Sequence, residues 1–385
     1  MNLDNRGVGS HRKPRDKESN EDGELAICLA LVAILTAALP HRADLELPTS
    51  IDWPSLLAIA QKTKTFGLLR KGLQNLHVTP SGSAAAYLKS SQEEILRLNL
   101  ANIARAVRIV RTLEEAGVGA LVLKGPLRSE EVYGMSDMRS ASDIDILVRQ
   151  SEYRHSIAAL RELGYSCLVM MEDRWWHDFL GESPFVNFSS PGPSIDLHNQ
   201  LQQPGGPYPS NVEDFFNASQ LRSVGRQNVA ILSCEHALIL TAISFCKAVR
   251  SGDPWLSYAH ELRYCLLTPG GIELQQLRAC AKSQGVLRLF DHFENWTTAL
   301  FDKDNSYPSS EPESKYGDLV LSSCGFKRLP PFGRTKAMWR WSDGEGVSRM
   351  KTFVKIFTRD FRSKLAFRKS SQPAIISNRD KQICW

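Results

Sequence analysis

The stretch Ser142-Asp143-Ile144-Asp145-Ile146-Leu147-Val148 opens polar-apolar and ends apolar, the pattern of a strand that enters a core. Successive side chains of a strand point to opposite faces. Asp143 and Asp145 therefore share one face, and Ile144 and Ile146 anchor the other. Two carboxylates held a few ångströms apart with no base between them repel each other, and a cation between them relieves the repulsion. Mg²⁺ suits such a site, because it takes one or two carboxylates from a protein and the rest of its ligands from phosphate and water. An Asp-x-Asp pair taken alone is common by chance.

A second segment adds weight. In Ser194-Ile195-Asp196-Leu197-His198 the same alternation puts Asp196 and His198 on one face and Ile195 and Leu197 on the other. Two-metal phosphoryl transfer uses about three carboxylates to hold ions roughly 3.5–4 Å apart, and Asp196 is the third candidate. A third segment, Leu123-Lys124-Gly125-Pro126, follows the short apolar run Ala120 to Leu123 and reads as a strand-to-helix turn. There Gly125 permits close backbone approach, and the new helix N-terminus offers free N–H groups to an anion. Lys124 adds a point charge.

Working outward from these segments, residues 1–22 are polar and charged with almost nothing apolar, and are expected to be disordered. Residues 23–107 read as a helical N-terminal region. Ser50 and Asp52 precede Pro54, a good first helical position, and a second helix is expected over Ala84 to Ala101, with continuation to Ala116 as the alternative. Residues 108–220 form the mixed core, where Ser151 is expected to cap a helix with inner face Tyr153, Ile157 and Leu160 that stops at Gly164. Short strands at Phe185 to Phe188 and Ser194 to His198 are joined through Pro191-Gly192-Pro193 as a hairpin. Residues 221–305 return to helix, with one helix expected over Leu274 to Leu300. Residues 306–385 read as a linker and a basic-aromatic tail.

A chain of 385 residues is long enough for about two domains and a sizeable core. Its net charge of +5 and pI near 8.7 accommodate a phosphorylated substrate without giving a strong nucleic-acid signal. The eight cysteines contain no C-x-x-C pair, so neither a zinc ribbon nor a disulfide framework is indicated, and a cytoplasmic location is expected. Leu25 to Leu39 is shorter than the roughly 20 residues that cross a bilayer and reads as a buried helix.

Taken together, Leu123-Lys124-Gly125, Tyr133-Gly134, Arg139-x-x-Ser142-Asp143-Ile144-Asp145, Gly164-Tyr165 and Ile195-Asp196-Leu197-His198 resemble the uncharacterised nucleotidyltransferase family of bacteria, within the polymerase β-like superfamily. The resemblance implies an α+β fold: a polymerase β-like nucleotidyltransferase core with a small mixed sheet, flanked by N- and C-terminal helical regions. It implies transfer of a nucleotidyl group from an NTP, ATP by default, to an acceptor, with Mg²⁺ or Mn²⁺ as cofactor. Asp143 and Asp145 would bind both metals. Asp196 would bind the catalytic one and help deprotonate the acceptor hydroxyl. Lys124-Gly125 stands where many superfamily members carry Gly-Ser.

Around this triad, Arg139 can pair with phosphate oxygens or form a structural salt bridge. Ser142 can contact phosphate or cap the strand, and His198 can orient Asp196 or donate to the nucleotide. Trp175-Trp176-His177 is a candidate substrate wall. Glu235-His236 and His260-Glu261 lack metal-ligand spacing and read as helix surfaces or caps. The tail from Arg349 to Lys369 can lie on a membrane, a peptide or RNA, or stay solvated. The acceptor is a small molecule, sugar or peptide. A non-catalytic nucleotide- or peptide-binding partner and a phosphotransferase are the alternatives that the same residues allow.

Overall fold

A computed structural model describes residues 14–42, 47, 50–168, 181–190, 192–202, 206–302, 313–328, 337 and 340–342. The chain is α+β and centres on one seven-stranded mixed sheet. The strands are β1 (Ala120–Val122), β2 (Asp143–Val148), β3 (Ser166–Cys167), β4 (Glu182–Val186), β5 (Ser194–His198), β6 (Gln220–Val224) and β7 (Gln227–Ile231). Their order is β3-β4-β5-β2-β1-β7-β6. The expected hairpin is present as antiparallel β4 and β5. At the centre β2 runs parallel to β5 and antiparallel to β1, with Asp145 beside Asp196. The sheet reaches Ile231, so the hairpin β6-β7 belongs to the core and not to the helical region expected from residue 221.

Alternation along the strands divides the molecule into two apolar layers. Ile144, Ile146 and Val148 of β2 and Ile195 and Leu197 of β5 pack with α4 (Gly82–Glu115) and α6 (Tyr153–Glu162). The opposite face sends Leu121, Leu123 and Leu147 into a larger core. That core is built by α1 (Pro14–Ala37), α2 (Trp53–Lys62), α3 (Phe66–Asn75), α8 (Cys234–Ser251), α9 (Leu256–Leu267), α10 (Leu274–Ser283), α11 (Leu287–Phe301) and α12 (Glu313–Ser323). The two helical flanks of the sequence thus form a single body. Two short helices, α5 (Pro126–Tyr133) and α7 (Glu213–Asn217), lie between strands.

Local signals place most helix ends. Asp52 caps α2 by accepting from the Ser55 N–H at 3.3 Å, with Pro54 in its first turn. Ser233 caps α8 in the same way, and Gly252 closes it in the left-handed conformation. Other ends differ from expectation. Glu152, without a side-chain cap, takes the position assigned to Ser151. The helix expected over Leu274 to Leu300 is two helices, because Gly285 turns left-handed at φ +68° between α10 and α11. Helix α1 begins at Pro14, within the segment expected to be disordered. Proline is tolerated in a first helical turn, and Cys28, Leu31, Ile34 and Leu35 further along anchor the helix in the core. The segment expected to be a linker and tail contains α12, whose Val320, Leu321 and Cys324 are buried. Trp175-Trp176-His177 and the tail from Arg349 to Lys369 lie outside the described residues.

No described helix is long and apolar enough to cross a membrane, and Leu25 to Leu39 is a core segment of α1 and the turn after it. The seven described cysteines are free. His260 and Glu261, expected at helix surfaces or caps, are buried within α9. Nε2 of His260 donates to the Leu35 carbonyl at 3.1 Å, and Nδ1 meets the Tyr133 hydroxyl at 3.3 Å. Burial holds the imidazole neutral, with its pKa pushed down to about 3. A folded pKa below the unfolded value means that, as pH falls below about 6.5, the unfolded chain takes up a proton that the folded chain refuses. Stability is therefore expected to fall with pH between 6.5 and 3 by about 1.4 kcal/mol per unit from this group. Urea unfolding at several pH values should show a shallower loss in His260→Gln than in the wild type; equal slopes would refute the assignment.

Candidate active site

The sheet brings the three predicted carboxylates together. Asp143 and Asp145 leave β2 on one face, Asp196 leaves the adjacent β5 at the same level, and one ligand atom of each lies within 4.8 Å of the others. Three carboxylate oxygens at this spacing can hold a divalent cation, and the electrostatics fit one. Burial pushes the Asp196 carboxyl up to about 7, and the negative charge of Asp145 adds to the shift. A cation there would remove that repulsion.

Asp145 is held the other way. Burial alone would raise its pKa, but the Lys124 ammonium and the hydrogen bond from His198 outweigh burial and keep it well below the usual carboxylate range. Nζ of Lys124 lies 3.1 Å from Oδ1 of Asp145, and Nε2 of His198 lies 2.9 Å from the same oxygen. No described side chain bonds Oδ2. His198 therefore orients Asp145, across the strand pair, and not the Asp196 two residues before it. Its Nδ1 faces Glu182 of β4 at 3.6 Å, and Glu182 meets Lys247 of α8 at 3.7 Å.

The strand-to-helix turn has the expected form. Leu123 N donates to the Asp145 carbonyl at 3.1 Å, which extends β1 alongside β2 and sets Lys124 beside the carboxylates. Gly125 then takes φ +88° and ψ −152°, a conformation open in practice only to glycine, and α5 starts at Pro126. Its side is open, since a Cβ there would meet only Ala141 at 3.8 Å. The requirement for glycine is one of backbone conformation.

Ser142 donates to Oδ1 of its neighbour Asp143 at 3.3 Å. Arg139 pairs with Glu261, its guanidinium 3.1 Å from Oε2. Asn99 and Asn102 of α4, which the sequence did not single out, hold the loop before β2. Asn99 donates to the carbonyls of Ser136 and Arg139 at 2.6 and 2.8 Å and accepts from Ala141 N at 3.2 Å. Asn102 donates to the Ala141 carbonyl at 3.0 Å. Both are buried on a helix face that is otherwise apolar, and that polar pair inside an apolar stripe was the available signal.

An α+β sheet that gathers three carboxylates from adjacent strands beside a glycine turn and a lysine defines a nucleotidyltransferase core. Residues 49–292 match the model of the family described as uncharacterised nucleotidyltransferase, and the chain belongs to that family. No curated protein and no solved structure matches it.

Proposed function

We propose that the protein transfers the nucleoside monophosphate of an NTP, ATP by default, to an acceptor hydroxyl and releases pyrophosphate. The observation that carries this reading is the clustering of Asp143, Asp145 and Asp196 from two neighbouring strands. The acceptor oxygen forms a bond to the α-phosphorus, the bond to the bridging α–β oxygen breaks, and the hydroxyl proton leaves to a base. Asp196, beside Asp145 on the neighbouring strand, is placed to take that proton. The three aspartates would hold Mg²⁺ or Mn²⁺, which supplies charge against the triphosphate and the developing oxyanions.

The remaining residues bind and orient. Lys124, whose ammonium keeps its proton beside Asp145 despite burial, can move onto phosphate oxygens when a cation takes its place against Asp145. The turn at Gly125 and the first N–H groups of α5 receive the phosphates. His198 keeps Asp145 in its rotamer, and Ser142 does the same for Asp143. In this reading the protein works in the cytoplasm on a small-molecule, sugar or peptide acceptor.

The test is incubation with Mg²⁺ or Mn²⁺, α-³²P-labelled NTPs and cell extract as acceptor source, with the Asp143→Ala, Asp145→Ala double variant as control. Label on an acceptor with release of pyrophosphate, only with the intact pair, is the expected result. Release of NDP instead would identify a phosphotransferase. Nucleotide binding without any transfer would identify a non-catalytic partner.

A further inference from the structure

Glu261 of α9 is a buried carboxylate, 2% exposed, that the metal reading leaves unused. Its Oε1 accepts from Arg128 Nε at 2.9 Å and from the Thr241 hydroxyl at 3.3 Å, and its Oε2 accepts from Arg139 at 3.1 Å. The two arginines come from different pieces of the site. Arg128 lies in the first turn of α5, the helix opened by the Gly125 turn, and Arg139 lies in the loop that leads into Asp143. One carboxylate of the helical body therefore ties α5 to the loop before β2. Glu131 adds a second acid to Arg128 at 3.0 Å, which leaves the charge of Glu261 available to Arg139.

Arg139 is held but not covered, since its side chain remains 19% exposed. Its guanidinium stands 4.7 Å over the ring of Tyr258, one turn before Glu261 on α9. Tyr258 lies near Lys124 as well, the lysine that bonds Asp145. A guanidinium carries five N–H donors in a planar fork, and Glu261 accepts from one of them.

Building on the nucleotidyl-transfer reading, we propose that Glu261 is a positioning residue that presents Arg139, over Tyr258, as a second cation, with Lys124, for the triphosphate. The helical body then sets the affinity for the donor through a single carboxylate. Without the charge of Glu261, Arg139 loses the anchor that aims it.

The experiment measures Mn²⁺-dependent binding of α,β-methylene-ATP to the full chain by calorimetry, and Mn²⁺ binding alone by electron paramagnetic resonance. Glu261→Gln keeps the volume and removes the charge. It is expected to raise the nucleotide Kd about tenfold while Mn²⁺ affinity stays within about twofold, with Glu261→Asp recovering part of the loss. Because Glu261→Gln disturbs a buried ion pair and its folding can suffer, Tyr258→Leu removes the ring under Arg139 without touching that pair, and a rise of at least about threefold in Kd is expected. Nucleotide binding as tight as wild type in Tyr258→Leu and in folded Glu261→Gln would overturn the proposal. A wild type that binds Mn²⁺ but no nucleotide would instead sink the nucleotidyl-transfer reading, and the role of Glu261 with it.

Discussion

Asp145→Asn is expected to lower kcat/KM for nucleotidyl transfer by at least about 10³-fold, about 4 kcal/mol of transition-state stabilisation. Asparagine matches aspartate in shape, and its Oδ1 can still accept from Lys124 and His198, so the strand pair and the turn before α5 keep their geometry. What disappears is one of three negative charges within 4.8 Å of each other, on which the cation would rest. Without metal two effects on stability oppose each other, because asparagine loses the charge that pairs with Lys124 and His198. Asp145 is one of the charges that push the Asp196 carboxyl up to about 7, behind burial itself, and its removal relieves part of that repulsion. Thermal unfolding separates the two effects. Mn²⁺ at about 100 times its Kd should stabilise the wild type by about 2.7 kcal/mol and the variant far less. Equal metal stabilisation in both, or equal activity, would remove Asp145 from the site.

The second large effect is on the fold. Phe245 of α8 is fully buried and its ring lies against four others: Trp255 at 5.3 Å, Phe293 at 4.6 Å, Trp296 at 5.6 Å and Trp341 at 5.6 Å. Phe245→Ala removes the ring on which these contacts converge. Rigid aromatic neighbours collapse poorly into the space, so the loss is expected at the upper part of the usual range, about 3–5 kcal/mol. Urea unfolding followed by tryptophan fluorescence should show a lower midpoint at an unchanged slope. A loss below about 1 kcal/mol would mean that this part of the core is loosely packed. The active-site strands draw on the other face of the sheet for part of their packing, so residual folded Phe245→Ala should still bind metal.

The alternation in Asp143 to Val148 and Ser194 to His198 put Asp143 with Asp145, and Asp196 with His198, on shared faces, because the two-residue period of a strand fixes which side chains share a face. Turn chemistry was equally legible where it depends on backbone conformation alone. Gly125 and Gly164 both sit at positive φ, where other residues are strained. The break at Gly285 was missed because apolar spacing continues through it from α10 into α11.

What the sequence by itself determined is therefore local: the identity of the carboxylates, the glycine turn before α5, and the mixed character of the central region. The tertiary structure decided which strands are neighbours, and so that Asp196 stands beside Asp145 and that His198 orients Asp145 and not Asp196. It also decided that two helical regions separated by the sheet share one core, and that Glu261, read as a helix surface or cap, is a buried anchor for Arg128 and Arg139. Spacing along a chain records the periods of helices and strands. A contact between residues 122 or 133 positions apart is set only when packing brings their elements together, and no local period encodes it.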